Sequence, residues 1–196
     1  ILLPSLSRAH ARASREDYQA LLDWGLRLTV LLTLPAAAGM ALLAEPLVST
    51  LFLHGAFDAQ DALATCRALV AYSVGLTALI AVKILAPGFY AQQNVRTPVK
   101  IALVSLVATQ AMNGLFVFVL PLAHAGLALS ISLAAWLNAG LLLHGLWRRG
   151  TYRPLAGWGR FLLRVTAATL ALGIVALWGA RGLGDWLHLP ALERSG

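Results

Sequence analysis

The chain has 196 residues, 59% of them hydrophobic and only 12% charged, with a mean hydropathy of +0.76. Soluble domains run at roughly 45–50% apolar and about 25% charged residues, so a water-soluble globular domain is excluded. The formal net charge is +7, and the single cysteine, Cys66, excludes an internal disulfide and a cysteine-based metal cluster.

The apolar residues are gathered into blocks of about 20, the length that crosses a hydrocarbon core. The opening Ile1-Leu2-Leu3-Pro4 has no Met and no charged leader, and it reads as the end of a helix from a longer protein. Residues 1–24 are predicted to be that helix end and a cytoplasmic surface helix, with Ser14 and Asp17 resembling a capping box. Residues 25–147 are predicted to hold four membrane helices, over about 25–53, 62–90, 98–122 and 124–147. Residues 148–196 are predicted to form a basic loop with aromatic anchors, a further membrane helix over about 161–180, and an external segment. The fold class expected is all-α: a polytopic bundle of five full spans plus a partial first helix.

Several residues within these spans are candidates for packing or chemistry. Pro35 lies near the middle of the first span, where a proline frees a carbonyl and kinks the helix for packing or as a bending point. A connector containing Glu45-Pro46 and the His54–Asp61 turn follows. Arg67 and Lys83 stand near opposite ends of the second span, about 24 Å apart at 1.5 Å per residue. Each either snorkels to the interface or faces a polar cavity. Pro87-Gly88 is predicted to end this helix, and Thr97-Pro98 to start the next as N-cap and first helical residue. Gln110 and Asn113 share one face of the third span at mid-depth, beside Thr109. They serve either as ties between helices or as carbonyl ligands to a cation. In the fourth span Gly126, Ser130, Ala134 and Asn138 form a small-residue stripe for close helix approach.

Alternating spans distribute the loops between two sides. Side one receives twelve of the fifteen basic residues, among them Arg27, Lys83, Arg96, Lys100, Arg148 and Arg149. Side two receives Arg67, Arg181 and Arg194 with five of the eight acids. Basic loops stay in the cytoplasm, so side one is expected to be cytoplasmic. This accounts for the high charge with no nucleic-acid partner, because the basic residues are split among short loops without interleaved aromatics. Enzyme signatures are missing. The five histidines have no zinc spacing, and there is no G-x-S-x-G or P-loop. A transporter without catalytic residues, cofactor or metal is expected, and a cation in a cavity suits an anionic cargo.

Ordered blocks of the sequence resemble a known family. They are Leu3-Pro4-Ser5-Leu6, Asp23-Trp24-Gly25-Leu26-Arg27-Leu28, the run from Arg67 to Leu76, Lys83-Ile-Leu-Ala-Pro87-Gly88-Phe89-Tyr90 with Thr97-Pro98-Val99-Lys100, Gln110-Ala-Met112-Asn113, and His124-Ala-Gly126 through Ser130. In this order they are similar to the MurJ (MviN) family of lipid II flippases, within the multidrug/oligosaccharidyl-lipid/polysaccharide exporter superfamily. The resemblance implies a multi-pass protein of the bacterial inner membrane and a fragment from the end of helix 8 to helix 13, most of the second lobe. It implies lipid II and membrane lipids as partners, a monovalent ion as a further one, and alternating access without ATP. The family's main headgroup arginines lie outside this chain. Lys83 and Arg67 match its basic positions on helix 10, and Arg27 is added as a cargo-cavity candidate. Thr109, Asn113 and Ser130 are nearest to its sodium site, although no carboxylate stands beside Asn113. The alternatives are a polysaccharide-lipid or multidrug exporter of the same superfamily, and a non-transporting membrane scaffold.

Overall fold

A computed structural model describes residues 15–52, 59–119 and 123–187. The expectations for residues 1–14, for the 54–58 turn and for 188–196 lie outside these ranges. The described residues form six α-helices and no strand: α1 (Arg15–Leu42), α2 (Ala44–Phe52), α3 (Ala59–Tyr90), α4 (Arg96–Gly114), α5 (Ala123–Arg148) and α6 (Trp158–Leu187). A π-helical turn, Leu115–Val119, extends α4. All but α2 are long and apolar enough to span a bilayer.

The helices stand side by side in the order α4, α5, α3, α1, α6, with the short α2 against α3 and α1. Direct bonds set their directions. Tyr18 at the start of α1 donates to the Gly88 carbonyl at the end of α3, and Thr33 of α1 bonds Thr77 of α3 at 3.0 Å, so these two run antiparallel. Arg149, just past α5, reaches Thr97 in the first turn of α4 at 2.9 Å. The starts of α1, α4 and α6 and the ends of α3 and α5 therefore share one end of the slab. Among the described residues, that end carries the basic residues of side one.

The apolar core is concentrated there as well. Tyr18, Leu22 and Leu26 of α1 pack with Ala78, Leu85 and Phe89 of α3 and with Ala135, Ala139, Leu142 and Leu146 of α5. Tyr152 from the loop after α5 closes this cluster. The α3–α5 seam runs from Gly75 against Ser132 to Phe89 against Gly145. A Cβ on Gly75 would lie 2.6 Å from the Ser132 Cα. Ser132 Oγ donates to the Ala71 carbonyl at 2.7 Å, and Trp136 Nε1 to the Val74 carbonyl at 2.9 Å. In a bilayer such close approach and side-chain bonding hold helices together where apolar burial alone adds little over lipid.

Four sequence expectations are corrected. The surface helix expected up to residue 24 and the span after it are one continuous helix, α1, which runs through Pro35 and ends at Leu42. Residues 44–52 then form a separate helix, started by Glu45 in its first turn with Pro46 beside it. Pro87-Gly88 does not stop α3, which continues to Tyr90. Its end is a Schellman motif. Gln93 adopts φ 56°, Asn94 N–H donates to the Phe89 carbonyl at 3.1 Å, and Gln93 N–H to the Tyr90 carbonyl at 2.9 Å. Thr97 is not the N-cap of α4 either. Val95 holds that position without a side-chain bond, and Asn94 Oδ1 accepts from the Thr97 N–H at 3.2 Å instead.

Glutamine at a left-handed position is strained where glycine is not. Gln93→Gly is expected to raise stability by about 1 kcal/mol, seen as a higher thermal midpoint of the detergent-solubilised protein. An unchanged or lower midpoint would refute it.

Candidate functional site

The central helix of the row presents two unlike free faces. Lys83 is exposed on α3. Seven residues on, Tyr90 lies on the same face, and Tyr72 is eleven residues before; both tyrosines are exposed. Across the helix lie exposed Leu63, Val70 and Val74, with exposed Arg67 among them. One free face of α3 thus carries Lys83 between two tyrosines, and the other is aliphatic apart from Arg67. Among the described residues Lys83 has no hydrogen-bond or ion-pair partner. Pro87 lacks an N–H, so it cannot donate to the Lys83 carbonyl in the usual helical manner.

Arg67 is also exposed but does not share this face. The sixteen residues between Lys83 and Arg67 turn the helix by about 160° beyond whole turns. The two cations therefore sit at opposite ends and on opposite sides of α3.

A second polar group lies between α4 and α5. Ser130 is fully buried, and its hydroxyl donates to Asn113 Oδ1. Asn113 Nδ2 donates to Gln110 Oε1 at 3.0 Å, as their shared face predicts. Thr109 is not drawn in, because its hydroxyl bonds the Ser105 carbonyl of its own helix at 2.8 Å. The structure brings Asn113, Gln110 and Ser130 together as an uncharged tie. Gly126 and Ala134 are buried and stand one turn to either side of Ser130 on α5.

Arg27 is the candidate whose surroundings are most specific. Its Nε donates to Asp23 Oδ2 at 2.7 Å, and its Nη2 to the Ala156 carbonyl at 3.0 Å. Its guanidinium lies 5.4 Å from the Trp158 ring centroid and 5.7 Å from that of Phe161. Asp23, only 2% exposed, gathers the rest. Its Oδ1 accepts from Tyr152 Oη at 2.8 Å, Trp158 Nε1 at 2.7 Å and the Leu155 N–H at 3.2 Å. Burial, together with the carboxylate it donates to, pushes the Tyr152 phenol well above its ordinary range, so it remains a donor. This knot joins α1 to the α5–α6 loop and to the start of α6. Sequence reading places Asp23 among surface charges and in the Asp23–Leu28 block of the family resemblance, with no role assigned to it. Its neighbours Tyr152 and Trp158 were the available signal, read there as interfacial anchors.

Comparison with known proteins follows the same architecture. A family model described as "Lipid II flippase MurJ" matches residues 1–192. A "Lipid II flippase MurJ" of Burkholderia cenocepacia is 49% identical over 97% of this chain, and a "Probable lipid II flippase MurJ" of Vibrio cholerae is 33% identical over the whole of this chain. The chain spans 36% and 37% of these two relatives. A solved structure titled "Lipid II flippase MurJ, inward closed conformation" shares the fold with a TM-score of 0.68 at 20% identity, covering 96% of this chain and 43% of that one.

Proposed function

The chain belongs to the MurJ family of lipid II flippases, and from that premise we propose that it forms most of the second lobe of a flippase that carries lipid II outward across the bacterial inner membrane. The match over residues 1–192 carries the reading. In it, side one faces the cytoplasm, residues 25–147 build the lobe, and α6 belongs to the groove for the lipid tail.

Lys83 is the residue of this chain assigned to the cargo. In this reading the Tyr72–Lys83–Tyr90 face borders the cavity, where an ammonium is favourable beside a pyrophosphate, and Arg67 on the opposite face snorkels toward the side-two interface. Arg67, on the far side of α3, does not share that wall, and Arg27 is occupied by Asp23 and the α6 aromatics. Asn113 and Ser130 bond each other and carry no carboxylate, so a monovalent ion bound there takes its charged ligand from outside this chain.

The test is Lys83→Glu in the complete flippase, in cells depleted of their own enzyme. Reversing the charge is expected to cut lipid II movement by about ten-fold or more at normal membrane abundance, with Lys83→Arg close to wild type. Full rescue by Lys83→Glu would remove this residue from the mechanism.

A further inference from the structure

We propose that Asp23 is a positioning residue that fastens α6 to α1, so that the two move as one body when the lobe rearranges. The proposal rests on the flippase reading and adds to it a joint that the cargo does not touch.

α6 stands at the edge of the row, and α1 is its neighbour. The seam between them is thin. Val165, Thr169 and Gly173, four residues apart, are the buried positions over 158–179 of α6, and a Cβ on Gly173 would come within 3.1 Å of Leu42 Cδ1. Beyond its first two turns, most of the described α6 surface is exposed and apolar, including Leu170, Ile174, Val175 and Trp178. Lipid competes on equal terms for such surface, so apolar packing holds α6 weakly. The polar knot is different in kind. One carboxylate takes three donors from residues 152–158 and a fourth from Arg27, and Arg27 holds the Ala156 carbonyl. Near the membrane these groups find poor replacements, which makes Asp23 the principal fastening at the side-one end. Leu42 and Gly173 mark the same seam nearer side two, where a covalent bridge can stand in for the fastening.

The experiment uses the complete flippase with its cysteines, including Cys66, replaced. Leu42→Cys and Gly173→Cys are introduced with and without Asp23→Ala. Lipid II movement in proteoliposomes and the yield of cross-linking by a short bis-thiol reagent are both measured. Asp23→Ala is expected to slow transport about ten-fold and to lower cross-linking severalfold. Bridging the two thiols is expected to restore Asp23→Ala to within about two-fold of the parent and to leave the parent's own transport unchanged. A merely structural role predicts no such rescue. Where Asp23→Ala accumulates too poorly to assay, Tyr152→Phe takes its place, with a smaller loss and the same rescue.

The proposal is overturned if bridging stops the parent, since α1 and α6 must then part during transport. It is equally overturned if bridged Asp23→Ala stays slow, or if cross-linking yields are the same with and without Asp23. Should the parent itself move no lipid II, the flippase reading fails, and the cross-linking yields alone decide whether Asp23 fastens the seam.

Discussion

Gly75→Val is expected to force α3 and α5 apart and to lower stability by about 3 kcal/mol, the upper end of what overpacking usually costs. The obstacle is backbone. The first atom added at Gly75 would meet Ser132 Cα at 2.6 Å and Ser132 Oγ at the same distance. Neither helix can yield by rotating a side chain, so the seam has to open. Opening it also stretches the Ser132 bond to Ala71 and the Trp136 bond to Val74, at 2.7 and 2.9 Å. Those donors then lie in a membrane interior without water to replace their acceptors. Gly75→Ala should already be damaging, and Ser132→Gly should rescue it only in part, because the Cα of residue 132 stays in place. The measurement is thermal unfolding of the complete protein in detergent. A Gly75→Val variant as stable as the parent would mean that the two helices do not meet at this point.

Asp23→Ala carries the second large effect, a loss of about 3 kcal/mol, from the penalty of stranding the partners of a buried charge. That figure is taken at the low end because the Arg27 side chain is 30% exposed and water can reach it. Asp23→Asn should recover about half of the loss, since its carbonyl oxygen still accepts from Tyr152, Trp158 and the Leu155 N–H while its amide opposes Arg27. A double-mutant cycle with Tyr152→Phe should return a coupling of about 1–2 kcal/mol. Additive losses would show that Asp23 and Tyr152 do not act through one bond.

The two effects differ in how far local sequence announces them. Spans were legible because a bilayer imposes a length of apolar residues, and α3, α4, α5 and α6 fall close to where hydropathy puts them. The start of α1 reads as a surface helix because Arg15, Glu16, Asp17 and Asp23 look like solvent charges, and Arg27 reads as a cation for the cavity. The partners of Asp23 and Arg27 are 129 to 135 residues away in the chain, and no local pattern carries that information. Helix punctuation misled in a similar way. Pro87-Gly88 looks like a stop, but the left-handed residue that ends α3 is Gln93, which has no reputation for that conformation. The small-residue stripe of α5 was half of the picture. Ser130 does meet α4 through Asn113, while the tighter seam lies across the helix at Ser132, against α3. Which of two small-residue faces packs more closely depends on the glycine opposite, and a single helix does not reveal its neighbour.

The placement of the core has a mechanical consequence. The large interlocking side chains, Leu22, Leu85, Phe89, Leu142, Leu146 and Tyr152, all lie toward one end of the slab, and so do the polar knots at Asp23 and Gly88. Toward the other end the buried residues are smaller, among them Ala44, Val48, Ala62 and Gly173. A set of long rods gripped at one end behaves as a row of cantilevers. A small tilt at the gripped base becomes a displacement of many ångströms at the free tips, roughly 1.5 Å of lever for every residue along a helix. Motion of this sort displaces the far ends without unpacking the base.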